Sequence, residues 1–440
     1  MPIGGGTFTV QNKVLPGAYI NFVSIGTSAT LGERGTATLP LELNWGEENK
    51  VFTVDAAEFN RTALKVFGYD PTAPELLLVR EAFKRAKTLK LYRVNSGGTK
   101  ASKSIGGITV TAKHGGTRGN AIRVSVQTNI DNALLFDVTT YLDTIVVDFQ
   151  TVSNASELVG NDYVSFGTGT LATASATALE GGTNGTVNGT QYTNYLTAVE
   201  VEDFNVIGYP GDDETTKALF AAFVKRLRDD EGKKVVCVLY QYAGDYEGII
   251  NVKNGVVLAD GTTIPGEKAV AWVTGASAGA EVNQSLTNTA YEGAVDVDIR
   301  YPRSQYEAAI RAGEFVFYAE GNRARVLSDI NSLVTFGETK PPDMTSNRVI
   351  RVLDGWANDV ARIFGQSYIG IVTNSDTGRS LFKADLVSLA NRYQGIDAIS
   401  DFVPEDIEIQ QGNGKRDVAV NTRLKPNDAM EKLYMVVQVV

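Results

Sequence analysis

Three textures of apolar and polar positions follow one another along this chain. In the first, short runs of branched and aromatic residues alternate with stretches whose apolar positions return every three or four residues, the mark of strands alternating with amphipathic helices. Thr36 to Trp45 and Val51 to Val54 predict extended pieces. A helix beginning near Asp55 carries Phe59, Leu64 and Phe67 and stops at Gly68, and a second opens on Pro74 with Leu77, Leu78, Ala82 and Phe83. Leu89 to Val94 reads as the next strand. The same texture returns after Tyr192: strand Phe204 to Gly208, helix Asp212 to Asp230 with the stripe Leu219, Phe220, Phe223 and Leu227, and strand Lys234 to Tyr240. Strand, helix, strand is the repeating unit of a parallel sheet. A further helix starts near Gly266, and its continuation Gly275-Ala276-Ser277-Ala278-Gly279-Ala280 is so small-sided that it must lie close against another backbone. Phe315 to Ala319 and Ala324 to Leu327 predict a hairpin.

Between these halves, from Ser96-Gly97-Gly98 onward, the pattern shortens to alternating runs separated by Gly, Asn, Asp and Thr. Ile105 to Ala112, Ile122 to Thr128, Leu134 to Thr139, Thr144 to Val152 and Tyr163 to Phe166 predict strands, with one small helix near Ser156. This is the signature of a β-sandwich, and because α/β segments flank it on both sides it reads as an insertion.

The third texture follows Pro341-Pro342. Residues 347 to 370 predict a long amphipathic helix with Val349, Leu353, Trp356, Val360, Ile363 and Phe364 on one side. A second, Ser380 to Tyr393, carries Phe382, Leu386 and Leu389. Asp406 to Gln411 and Asp417 to Leu424 form a strand pair around Gly412-Asn413-Gly414, with Ile407, Ile409, Val418 and Val420 as its apolar positions. Two strands are marginal alone. Leu433 to Val440 then supplies seven apolar side chains in eight residues, and Ala18 to Ile25, with Tyr19, Ile20, Phe22 and Val23, is a matching β-rich piece behind a glycine-rich leader. Both end segments read as strands that need partners, because an unpaired apolar edge is one that proteins normally avoid.

Composition narrows the function. The 440 residues hold 43% hydrophobic side chains, enough for several cores, and 41 basic against 51 acidic residues give a net charge of −10. An acidic chain without basic blocks argues against nucleic acid as a partner. No charged-then-apolar leader and no run of about 20 apolar residues occurs, so the reading is a soluble protein made in the cytoplasm, without membrane insertion. The single cysteine, Cys237, lies in an apolar run and reads as a buried small hydrophobe. The single histidine, His114, allows no multi-histidine metal site and reads as a surface turn residue rather than a catalytic base. Neither GxxxxGK[ST] nor GxGxxG is present, which leaves nucleotide cofactors without a cradle. Carboxylate pairs remain as an enzyme route, but Asp212-Asp213-Glu214 stands at a helix start, where acids suit the dipole. No catalytic residue, metal or cofactor is expected.

Three stretches carry a resemblance. Leu15 to Phe22, Pro265 to Ala280 followed by Asn283-Gln284-Ser285-Leu286-Thr287, and Asp428 to Tyr434, together with Gly115 to Asn120 in the β module, are similar to contractile phage tail sheath proteins of prophages from Gram-positive bacteria. The likeness is one of overall pattern over the full chain. It implies a multidomain α/β protein: an N-terminal arm (1–25), a subtilisin-like α/β domain in two parts (26–95 and 191–340), an inserted β-sandwich (96–190), a C-terminal α+β assembly domain (341–432) and a C-terminal arm (433–440). The resemblance further implies strand exchange. Tyr19, Ile20, Phe22 and Val23 in one arm, and Leu433, Met435, Val437 and Val439 in the other, would add to the hairpin of neighbouring subunits around Ile407, Ile409, Val418 and Val420. Hexameric rings would stack into a helical sleeve that contracts around a tail tube and drives it through the host envelope. Tail tube, baseplate and tail terminator proteins would be its partners, the virion tail its location and the bacterial cytoplasm its place of assembly. Arg379, Lys383 and Arg392 are the tube-facing candidates. A carboxylate-based hydrolase and a static shell protein are the alternatives.

Overall fold

The computed structural model of the chain describes residues 4–6, 17–19 and 31–439. They fall into two compact units, Glu33–Asp354 with the residues from Asn427 onward, and Gly355–Pro426 with the residues before Glu33. In the amino-terminal stretch, β1 (Gly4–Gly6) and β2 (Gly17–Tyr19) pair in parallel, so the glycine-rich leader contributes a strand that its composition does not advertise. Ile20, Phe22 and Val23 lie outside the described residues.

The larger unit is built on a seven-stranded sheet. Its first part supplies β3 (Thr36–Leu41), β4 (Val51–Asp55), helices α1 (Ala56–Phe67) and α2 (Leu77–Phe83), and β5 (Thr88–Arg93). Gly68 ends α1 in the left-handed region at φ 76°, its N–H bonded to the Leu64 carbonyl at 3.0 Å. Beyond β5 the chain runs through the sandwich, whose strands are β6 (Lys100–Ile105), β7 (Ile108–Gly115), β8 (Ile122–Thr128), β9 (Phe136–Leu142), β10 (Ile145–Val152), β11 (Val164–Gly169) and β12 (Ala174–Ala178). They form two sheets, ordered β10-β9-β8-β12 and β11-β7-β6, around Val110, Val124, Val126, Val138 and Val164.

Two expectations are corrected here. Ile105 to Ala112 is not one strand, because Gly106 and Gly107, at φ 57° and 85°, reverse the chain into a tight hairpin with Ile105 opposite Ile108. His114 is not a surface turn residue: it is half-buried at the end of β7, its ring edge-on to Trp45 at 4.9 Å.

The central sheet resumes through α3 (Gly189–Glu200), β13 (Val206–Gly208), α4 (Glu214–Asp229), β14 (Val236–Tyr240) and β15 (Ile249–Val252). Asp213 caps α4, its carboxylate accepting from the Thr216 N–H at 2.7 Å, while Asp212 and Glu214 pair with the buried Lys217. Three short strands, β16 (Val256–Leu258), β17 (Thr263–Ile264) and β18 (Ala294–Val297), make a side sheet, and helix α5 (Gly266–Gly279) falls between β17 and β18 in the chain and packs on the central sheet. After α6 (Arg303–Arg311), the apolar run from Phe315 to Ala319 splits. Phe315 closes β19 (Glu314–Phe315) at the central sheet's edge, and Phe317 opens a hairpin of β20 (Phe317–Glu320) with β21 (Arg323–Val326).

The sheet order is β19-β15-β14-β13-β3-β5-β4, parallel throughout except for β4. Strand alternation sends successive residues to opposite faces. Val206, Val238 and Ile250 face one core with Trp272 of α5, and Ile207, Cys237 and Ile249 face the other with Phe220 and Leu227 of α4. Burial pushes the Cys237 thiol far above its usual range, so it is held as an uncharged hydrophobe. The small residues of α5 answer to α2 and the turn that follows it: a Cβ on Gly275 would meet the Ala82 carbonyl of α2 at 2.1 Å, and one on Gly279 the Arg85 carbonyl in that turn at 1.9 Å.

Helix α7 (Asn347–Ser367) begins in the larger unit, where Asp354 forms a buried two-point ion pair with Arg228 at 2.6 and 2.9 Å. From Gly355 it belongs to the smaller unit with α8 (Asp376–Gly395) and the hairpin of β22 (Ile407–Gln411) and β23 (Val418–Thr422). Trp356 sets its ring edge-on to Tyr393 of α8, whose hydroxyl donates to Asp359 at 2.9 Å. Phe364 and Tyr368 close on Phe382 further along. Among the described residues no helix is long and apolar enough to cross a membrane.

Candidate assembly site

The hairpin near the end of the chain is a sheet of two strands, antiparallel with Ile407 opposite Thr422, Ile409 opposite Val420 and Gln411 opposite Val418. One face of this ribbon therefore collects Ile407, Ile409, Val418 and Val420. They are not equally covered. Ile407 is fully buried and β22 packs against α8, whereas Val418 is half-buried and Val420 is 40% exposed. Apolar surface on the β23 side of the ribbon is left without cover.

Beside it lies a cavity of about 410 Å³ lined by Phe364, Tyr368, Val372, Phe382 and Val418, with Arg379, Lys415 and Arg416 at its edge. Asn374 holds this corner together. Its side-chain amide donates to the carbonyls of Lys415 at 3.1 Å and Asp417 at 2.8 Å, tying the hairpin turn to the loop between α7 and α8. Sequence reading gave Asn374, Lys415 and Arg416 no role. The adjacent basic pair in a turn was the available signal for two of them.

The C-terminal segment has a fixed root and an open end. Asp428 accepts from the Ser346 hydroxyl at 3.1 Å, and the Glu431 carboxylate accepts from the Thr287 hydroxyl at 2.6 Å, both within the larger unit. From Leu433 to Val439 the side chains are largely exposed: Leu433 is 85% exposed, Met435 71%, Val437 69% and Val439 94%. The strand expected there is absent from the ladders of the described residues of this single chain, although every position but Gln438 is apolar. In the other arm, Tyr19 closes β2, where it lies opposite Gly6.

Of the three basic candidates on α8, Arg379 is engaged within its own unit, its guanidinium donating to Asn374 at 2.7 Å and pairing with Asp376. Lys383 is half-exposed and Arg392 exposed. Nine residues separate these two, so at about 100° per residue they stand on opposite sides of the helix. Among the described residues no three His, Cys, Asp or Glu side chains gather as a metal site.

Large cores joined to a bare apolar arm and an incomplete two-stranded sheet are the features of a building block for assemblies. Comparison with known proteins gives that class its family. Models of phage tail sheath domains match in succession along the chain: the domain III N-terminal region of tail sheath protein Gp18 over residues 34–94, the sheath β-sandwich domain over 96–184, the central domain over 185–332 and the C-terminal domain over 339–440. The phage-like element PBSX protein XkdK of Bacillus subtilis is 40% identical over 99% of this chain and 100% of its own length. A sheath tail protein from Desulfitobacterium hafniense, solved by crystallography, is 47% identical with a TM-score of 0.85, covering 96% of this chain and all of that one. The contracted helical sheath of the anti-feeding prophage shares the fold at 12% identity, with a TM-score of 0.54 over 97% of this chain and 99% of that one.

The chain belongs to the phage tail sheath family. It is a structural subunit of the prophage type rather than an enzyme, and its β-sandwich is the second domain of the sheath fold.

Proposed function

We propose that this chain polymerises by exchanging strands between subunits, forming hexameric rings that stack into a helical sleeve around a tail tube and contract to drive the tube through a host envelope. The observation that carries this reading is the pair of unmet needs on one polypeptide. The arm from Leu433 to Val439 is apolar, exposed and unpaired among the described residues, and the β22–β23 ribbon has an uncovered apolar flank. Adding a strand to a sheet edge satisfies the backbone groups of both, and alternate side chains then find cover. Each large apolar side chain so buried contributes roughly 1.5 to 3 kcal/mol. Because Asp428 and Glu431 fix the root of the arm on its own larger unit, a donated strand ties that unit to a neighbour's hairpin.

On this reading residues 1–25 and 433–440 are arms, 26–95 and 191–340 a subtilisin-like α/β domain in two parts, 96–190 the inserted sandwich and 341–432 the acceptor domain. Tyr19, Ile20, Phe22 and Val23 form the second donated strand. Contraction moves subunits as rigid bodies while the exchanged strands persist as tethers, so the work comes from re-pairing subunit faces and needs no cofactor. Assembly takes place in the bacterial cytoplasm, with tube, baseplate and tail terminator proteins as partners, and the product is the tail of the virion.

Deleting residues 433–440 tests the reading. The truncated chain is expected to be soluble and monomeric by sedimentation, with near-native circular dichroism and no sleeves by electron microscopy. Deleting residues 1–25 should act alike. Normal contractile sleeves from the C-terminal truncation would remove strand exchange, and an unfolded truncation would assign the arm to its own chain's core.

A further inference from the structure

We propose that the cavity between α7, α8 and the hairpin is the seat of a neighbouring copy's arm, and that Met435 of that copy is its anchor. The inference rests on the strand-exchange reading and adds to it where the incoming strand turns its side chains. A strand laid along the free side of β23 continues the ribbon, so its alternate residues project onto the face that already carries Val418 and Val420. Next to that face is the cavity of about 410 Å³, walled by Phe364, Tyr368, Phe382 and Val372. The arm offers two rows. Leu433, Met435, Val437 and Val439 form one, wholly apolar, and Tyr434, Val436 and Gln438 the other, which contains an amide and a hydroxyl.

The wholly apolar row belongs against the aromatic wall, because Gln438 would lose its solvent hydrogen bonds there. Within that row Met435 is central and unbranched, the side chain best able to fill an irregular cavity and to place sulfur against aromatic rings. The opposite row, with Tyr434 and Gln438, is then left on the solvent side of the added strand. This occupant also covers the exposed part of Val420, which no residue of the acceptor chain's own ribbon does.

Cysteine pairing on the full chain reads the orientation, since the native Cys237 is buried and a size tag on the Val372→Cys or Asn421→Cys chain separates the mixed dimer from dimers linked arm to arm. Chains carrying Met435→Cys are co-expressed with chains carrying either Val372→Cys, in the cavity wall, or Asn421→Cys, on the opposite face of β23, and exposed to a mild oxidant. The expected result is a disulfide-linked dimer on a non-reducing gel with Val372→Cys and none with Asn421→Cys. A dimer with Asn421→Cys alone would overturn the cavity as the seat while leaving strand exchange standing. A dimer with neither partner would overturn both.

Discussion

His114 lies where the sandwich meets the β3 end of the central sheet, edge-on to Trp45, which in turn stacks on Tyr163. Burial, followed by the positive charges of Lys113, Lys100 and Arg93, pulls its imidazole down to about 4 from an ordinary 6.5, and Glu48 offsets this only in part. A histidine whose folded pKa is depressed is protonated first in the unfolded chain, so its contribution to stability is complete above about 6.5 and is lost as pH falls toward 4. The urea midpoint is therefore expected to drop between pH 7 and pH 5, and the drop should shrink in His114→Gln. An unchanged drop in that variant would place the titrating group elsewhere. The residue's identity was plain in the sequence, but its setting was not, because Trp45 and Tyr163 come from distant segments.

At the scale of elements, the clearest local message is the small-sided half of α5. Sequence alone requires a close backbone partner for Gly275 to Ala280, and the structure supplies α2 and the turn after it, where the Ala82 and Arg85 carbonyls occupy the places where Cβ atoms of residues 275 and 279 would stand. Both obstacles are backbone atoms, which cannot swing aside. Gly275→Ala, favourable by helix propensity, should instead destabilise by about 1 to 3 kcal/mol through overpacking, seen as a lowered thermal midpoint. A raised midpoint would mean that α2 can give way. Strands β6 and β12 escaped the sequence reading for the opposite reason. Lys-Ala-Ser-Lys-Ser-Ile and Ala-Ser-Ala-Thr-Ala carry too few large apolar residues to announce a strand, and they are held by their neighbours' ladders, with only Ala101 and Ile105 of β6 reaching the core.

At the scale of the whole molecule, the proposed sleeve would present one surface of each subunit to a tube, and α8 carries the basic candidates for it. Lys383 shares a side of α8 with Arg379, whereas Arg392 is half a turn away, so a single flat partner meets one of them and not both. Exposed charges of this kind contribute roughly 0 to 1 kcal/mol each and act mainly on register. Reversing both, Lys383→Glu with Arg392→Glu, should reduce the sheath that co-sediments with tubes while leaving tube-free sleeves intact. Of the single variants, Lys383→Glu is expected to reproduce the loss. Tube-bound sheath unchanged in the double variant would move the tube-facing surface off α8.

The sequence by itself determined the succession of textures, from α/β to sandwich and back to α/β before a helical pair with a hairpin. It did so because the 3.6- and 2-residue periods are imposed by local backbone geometry, whatever the element later packs against. It also marked the segment from Leu433 as apolar beyond any local need. Only the tertiary structure decided that Gly106-Gly107 divides one run into two strands and that Phe315 and Phe317 serve different sheets. It alone decided that β23 keeps an uncovered flank beside a cavity, and that Asp428 and Glu431 fasten the root of the arm while its apolar side chains stay in solvent. These outcomes depend on which distant segments pack best on a given face, and a sum of contacts far apart in the chain leaves no period to read.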